Sequence, residues 1–252
     1  MIAYLLFLQN YWMGWLSAFG TIVTGVTWSL AVEEQFYLTA PLAVFRLSRR
    51  AVAYALTGIL FLAPILRVLA RLRLPGTQLS PYVLTPCRAD ALSVGVLCAL
   101  LVRTPELWKR VRSSSAIRWS IGALAVPLGF LSYKQYGYEA GMIMITFGYS
   151  ALACFYACCL LLVPWESRGT LSRTLCVGWL RNLGQVAYFV YLFHSIIIEA
   201  CRHFLGLHYS YSSGGVRVCS GVLGSILTIL LGQVSWRFLE GPLIRRGHAW
   251  SY

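Results

Sequence analysis

Two adjacent carboxylates, Glu33 and Glu34, stand at the mouth of an apolar run from Leu38 to Phe45 that ends in Arg46, Arg49 and Arg50. A helix begun at Thr27 or Ser29 is capped by that hydroxyl and holds both acids within its first two turns. There the positive end of the helix offsets part of the cost of burying negative charge. Counting from Glu33, Phe36 and Tyr37 fall at i+3 and i+4, so one face carries an acid, a phenyl ring and a phenol. An ionisable residue inside an apolar span is a candidate functional group. The plainer alternative is a helix cap wetted at the membrane interface.

Further charges interrupt the apolar runs. Arg88 and Asp90 follow Pro86 at the start of another apolar stretch. Residues two apart on a helix point in different directions, so each can pair with a neighbouring span, Asp90 with one of Arg67, Arg71 or Arg73. Such a pair is either a tie between helices or part of a cationic lining for phosphates, which arginine suits through its planar fork. Arg67 and Arg71 share a face, and basic side chains near the end of a span commonly reach out to the headgroups. His194 lies mid-span among Phe189, Tyr191, Leu192 and Phe193, either as an inter-helix hydrogen-bonding group or as a site lining; Glu199 can pair with Arg202 or His203. The eight cysteines fall mostly in apolar segments, where the thiol behaves as a small hydrophobe. Cys154, Cys158 and Cys159 have neither a zinc spacing nor nearby histidines, so no metal site is assigned.

The elements that must position these groups are membrane helices. Of 252 residues, 58% are hydrophobic and 12% charged, against about 25% charged in soluble proteins. The fold class is all-α and polytopic, with about seven spans near 28–46, 51–70, 87–103, 117–133, 140–163, 182–204 and 215–236. Pro41, Pro64 and Pro127 lie within spans. No linker or soluble module interrupts them, so residues 1–252 read as one membrane-embedded domain: an external surface connector over 1–26 with a short loop at 20–26, a bundle over 27–240 and a tail over 241–252. The net charge of +13 is dispersed among apolar spans, which excludes nucleic acid as the partner it would otherwise imply. With the first span running inward, twice as many of the 21 Lys and Arg fall inside as outside, placing the tail in the cytoplasm.

The segment Trp28-Ser29-Leu30-x-x-Glu33-x-Gln35-Phe36-Tyr37 resembles the hallmark stretch of the acyltransferase 3 family of integral-membrane O-acyltransferases. Three further stretches resemble that family in the same order: Arg88-Ala89-Asp90-Ala91-Leu92-x-x-Gly95, Tyr188-x-x-Tyr191-Leu192-x-His194 and Glu240-Gly241-Pro242. Leu6-Phe7-Leu8-Gln9-Asn10 is also similar to the family segment just ahead of the first. The resemblance implies an enzyme of the bacterial inner membrane, surrounded by lipid and without a bound cofactor. It would move an acyl group, acetyl first among the candidates, from acyl-CoA to a hydroxyl of an envelope carbohydrate or glycolipid.

Such chemistry needs a base for the acceptor, donors for the developing oxyanion and cations for the donor's phosphates. The family's presumed base is a histidine that follows a basic residue after ten intervening positions. Ahead of His194, His203 and His208 that place holds Leu183, Leu192 and Ile197. Arg237 stands there before His248, but Gly241-Pro242 between them is expected to break the helix, so no catalytic histidine is carried over. The family implies about ten spans with both ends in the cytoplasm, and the chain therefore reads as lacking three N-terminal helices, that of the base among them. Glu33 is then the candidate catalytic group and Tyr37 a hydrogen-bond partner. Trp28, Arg88, Asp90 and His194 are candidate substrate-binding or lining residues. Two rival readings stand beside this one. The first is a transporter or lipid-handling protein, disfavoured because no inverted repeat is visible; the second is an inactive remnant.

Overall fold

The computed structural model describes residues 2–74, 78–135, 141–165, 170–204 and 214–248. Among them every regular element is a helix and no strand occurs. The chain divides into two compact units, one of residues 1–20 with 27–172 and one of residues 21–26 with 173–252.

In the first unit the helices are α1 (Gln9–Leu16), α2 (Thr27–Arg46), α3 (Arg49–Arg73), α4 (Thr85–Val102), α5 (Pro105–Ser113), α6 (Ser115–Gln135) and α7 (Tyr149–Trp165). Helix α3 lies along α4, and α7 packs on both α4 and α6. A single helical turn, Ser80–Val83, joins α3 to α4 and packs under α1. Met13, Leu79 and Val83 form the buried core here, with Tyr4, Phe19, Trp28 and Tyr82 against it. Ahead of α7 the chain makes one wide turn, Met144–Gly148, whose Met144 and Ile145 are buried.

The second unit contains α8 (Gly178–Gln185), α9 (Ala187–Phe204), α10 (Gly214–Ser235) and α11 (Gly241–His248). Its centre is the pairing of α9 with α10. Ser220, Gly224, Thr228 and Gly232 recur every fourth residue along α10, and Ser220 and Thr228 are buried. A Cβ on Gly224 would come within 2.9 Å of the Ile198 Cα, and one on Gly232 within 3.2 Å of the Val186 Cβ. Small residues at this spacing let two backbones approach where no hydrophobic force separates helix from lipid. Thr228 donates its hydroxyl proton to the Gly224 carbonyl at 2.6 Å, so its burial leaves the hydroxyl satisfied.

Among the described residues four helices are long and apolar enough to cross a membrane: Arg49–Arg73, Ser80–Val102, Met144–Val163 and Val218–Gly247. A fifth results if α8 and α9, bent by 67° at their junction, count as one span. Outward-facing Phe45, Tyr54, Phe61, Leu72, Ile226 and Leu230 are exposed, as suits helices whose surroundings are hydrocarbon rather than water. About seven spans were expected. Helices α2 and α6 stand where two of the others were placed, but α2 carries Glu33, Glu34, Gln35 and Thr39, which dilute its apolar run.

Several local expectations are corrected. Within the stretch read as a surface connector, Trp12, Trp15 and Leu16 are exposed, but the polar pair that suggested the surface is buried: Asn10 is 0% and Gln9 2% exposed, their amides bonding to backbone carbonyls and side chains of the unit. Residues 20–26 are not a plain loop, since Ile22–Gly25 form a helical turn boxed by reciprocal bonds between Thr21 and Thr24. The single span expected over 182–204 is broken at the buried Val186. Gly241-Pro242 does not stop the last helix. It widens into a five-residue turn, Trp236–Glu240, in which the Gly241 N–H reaches the Trp236 carbonyl, and the helix continues as α11. The wide turn accommodates the proline's missing donor, and a Cβ at position 241 would lie 2.7 Å from the Trp236 oxygen, so glycine is required. Glu240 accepts the Ser235 hydroxyl at 2.7 Å, and among the described residues no arginine clamps it. The helix break that set Arg237 and His248 aside is therefore absent; the His248 side chain lies outside the described residues.

Candidate active site

Helix α4 starts with a proline in its first turn and turns Cys87 and Asp90 inward. Asp90 is 1% exposed and meets Arg67 of α3, itself 0% exposed, with both guanidinium Nη atoms 3.0 Å from one carboxylate oxygen, Oδ2. Arg67 also donates to the Cys87 carbonyl at 3.1 Å and to the Ser150 hydroxyl at 2.6 Å, and Ser150 donates in turn to Asp90 at 2.5 Å. The tie thus joins α3, α4 and α7. Of the three partners the sequence offered Asp90, the structure selects Arg67. The expectation that Arg67 reaches out to the headgroups is wrong, because its charge is held inside by a carboxylate one helix away.

Arg88, two residues from Asp90, faces elsewhere. Its guanidinium lies 5.6 Å from the Trp28 ring of α2, 5.3 Å from the Tyr82 ring and 4.9 Å from the Tyr149 ring. These rings also touch one another, with Trp28 and Tyr82 at 4.7 Å and Tyr82 and Tyr149 at 5.8 Å between centroids. Ring faces attract a cation electrostatically but leave its N–H donors unused. Among the described residues Arg88 makes no hydrogen bond and no ion pair.

A second polar tie holds the start of the unit. Gln35 of α2 donates to the Phe7 carbonyl at 2.6 Å and to Asn10 Oδ1 at 3.0 Å, and accepts the Thr85 hydroxyl at 2.5 Å. Asn10 donates to the Val83 carbonyl at 3.1 Å and to Thr85 at 2.9 Å. Gln9 reaches the Thr27 carbonyl at the start of α2 at 3.0 Å. These residues were not singled out as site residues, although Gln35 and Asn10 both stand in the quoted motifs as polar groups within apolar surroundings. Beside this tie α2, α3 and α4 enclose a cavity of about 390 Å³, apolar along Val44, Val52 and Leu56 and polar at Gln35, Thr85 and Ser93.

Glu33 is half-buried on α2 and has no hydrogen-bond or ion-pair partner among the described residues. Tyr37 is 60% exposed; its ring leans on Phe36 at 5.9 Å, and no hydrogen bond joins it to Glu33. The unit therefore brings together Trp28 and Arg88, and assigns Asp90 to Arg67. In the second unit His194 is satisfied locally: Nδ1 lies 2.7 Å from the Tyr191 carbonyl and Nε2 3.1 Å from the Ser195 hydroxyl. Glu199 pairs with Arg202 at 3.4 Å, one of the two partners the spacing offered. Among the described residues no cluster of three metal-ligating side chains occurs.

The comparisons with known proteins point one way. The chain is 24% identical over 261 residues to the O-acetyltransferase OatA of Staphylococcus aureus strain NCTC 8325 / PS 47, an alignment covering 98% of this chain and 41% of that protein. The OatA of strain MRSA252 gives the same figures, 24% over 261 residues, 98% and 41%. The chain thus spans less than half the length of the curated relatives it matches. No solved structure matches it. The sequence profile described as an acyltransferase domain, Acyl_transf_3, fits residues 2–237, nearly the whole chain and three of the four motif stretches, Glu240-Gly241-Pro242 falling just past its end, and on that match the chain belongs to the acyltransferase 3 family.

Proposed function

We propose that this chain is part of a membrane O-acetyltransferase that moves acetyl from acyl-CoA to a hydroxyl of an envelope carbohydrate or glycolipid. One observation carries the reading beyond family membership: Glu33, on the helix of the Trp-Ser-Leu motif, is a half-buried carboxylate with no partner among the described residues. A structural acid in an apolar unit is paired, as Asp90 is; an unpaired one is available to a substrate proton. In this reading Glu33 receives the proton of the acceptor hydroxyl as its oxygen attacks the acyl carbonyl, and the thiolate of coenzyme A leaves. Trp28 and Tyr37 line the acceptor side, and Arg88 contributes positive charge toward the donor. Asp90 acts through Arg67 by fixing α3 against α4.

In this reading the chain crosses a bacterial inner membrane about seven times, with its C-terminal helix on the cytoplasmic side by the excess of basic residues assigned there. The test is labelled acetate fed to cells with and without the gene. Label in a base-labile ester of the surface polysaccharide only when the gene is present supports the transfer. Equal labelling in both strains removes it.

A further inference from the structure

Two arginines share one tyrosine. Arg67 lies 5.7 Å and Arg88 4.9 Å from the Tyr149 ring. Arg67 shows what an arginine used for structure looks like in this unit: fully buried, with four hydrogen bonds and a carboxylate. Arg88 has none of these. The acid that could neutralise it, Asp90, is already taken, since Oδ2 receives Arg67 and Ser150 and Oδ1 the Ala91 N–H. Three rings from three different elements surround the guanidinium carbon at 4.9 to 5.6 Å. Its N–H groups make no hydrogen bond among the described residues. A planar fork with unused donors and an uncompensated charge matches a tetrahedral oxyanion that accepts two parallel hydrogen bonds.

We infer that Arg88, boxed by Trp28, Tyr82 and Tyr149, is the receptor for a phosphoryl group. The group belongs either to the phosphates of the acyl donor or to a lipid headgroup. The first source deepens the acyl-transfer reading and rests on it, whereas binding itself is measured without turnover. The rings fix position and the fork supplies the contact, so charge alone does not suffice.

The experiment uses the native membrane protein purified in an uncharged detergent, with Arg88→Gln, Arg88→Lys and Glu33→Gln beside it. In one arm free coenzyme A is titrated and its dissociation constant measured. In the other, the unfolding temperature is followed as phosphatidylglycerol is added, against diacylglycerol of the same chains as the phosphate-free control. Loss of a charge-assisted bidentate contact weakens binding by about tenfold or more. If the donor is the source, Arg88→Gln loses coenzyme A by that factor, Arg88→Lys loses less, and Glu33→Gln binds as the parent does. If a lipid is the source, coenzyme A is unaffected and the stabilisation specific to phosphatidylglycerol disappears in Arg88→Gln. Should Arg88→Gln fail to fold, Arg88→Lys keeps the cation between the rings and decides: weaker binding of either phosphate supports the assignment. Parent-like response to both phosphates in the folded variants overturns it. Arg88-dependent binding in a protein that transfers no acetyl would remove the transfer reading and leave the receptor standing.

Discussion

The two units handle polar groups in apolar surroundings in opposite ways. The first buries them and joins them across helices: Arg67 with Asp90 and Ser150, Gln35 with Asn10 and Thr85. The second keeps Thr228 on Gly224 and His194 on Tyr191, each on its own helix, with a Tyr191 hydroxyl bond to the Val26 carbonyl at 3.3 Å reaching across elements, and brings α9 and α10 together through small residues. Ties between helices fix relative position to within a hydrogen bond, which a site assembled from α2, α4 and α7 needs. Close backbone approach fixes a helix pair without presenting chemistry. Under the proposed function the difference suits the first unit to positioning and the second to scaffolding.

The largest expected effect tests the first half of that contrast. Asp90→Ala leaves Arg67 as an unpaired buried charge and should destabilise the protein by about 3–5 kcal/mol in detergent unfolding. An Arg67→Met, Asp90→Leu double variant should recover most of the loss, because it removes both charges; equal destabilisation of single and double variants would show that the tie is not what fixes the helices. Next, Gly224→Ala forces α10 from the Ile198 backbone and should cost about 1–3 kcal/mol. Gly221→Ala, whose added methyl would meet nothing within 4 Å, should be neutral. Equal effects would deny the small-residue seam. Gln35→Ala breaks three bonds and strands Asn10 and Thr85, for about 1–2 kcal/mol by the same measurement. His194→Ala, whose ring bonds only to its own helix, should cost under about 1 kcal/mol. A loss as large as that of Asp90→Ala would give the second unit a polar lock as well.

Apolar runs made the helices legible. The spans near 51–70, 87–103 and 140–163 reappear as α3, α4 and the helix through α7, because length and hydropathy are local properties. The pairing of Asp90 was narrowed to three arginines for the same reason, since all three stand on the preceding helix. Local pattern could not reveal that Trp28, Tyr82 and Tyr149 converge on Arg88, because they come from three elements far apart in sequence. It also misjudged polarity near the start: Gln9 and Asn10 read as surface residues until the carbonyls that accept their amide protons are seen. Gly241-Pro242 misled because a wide turn can absorb a proline that an α-helical turn rejects.

Acetyl transfer by Glu33→Gln, in the native protein expressed at the parent's level, measures the central claim most directly. The substitution keeps size and hydrogen bonding and removes only the ability to take a proton. The account predicts a rate lower by about a hundredfold or more, with unfolding temperature and coenzyme A affinity unchanged. Transfer at the parent's rate would contradict it and leave Glu33 as a wetted helix residue.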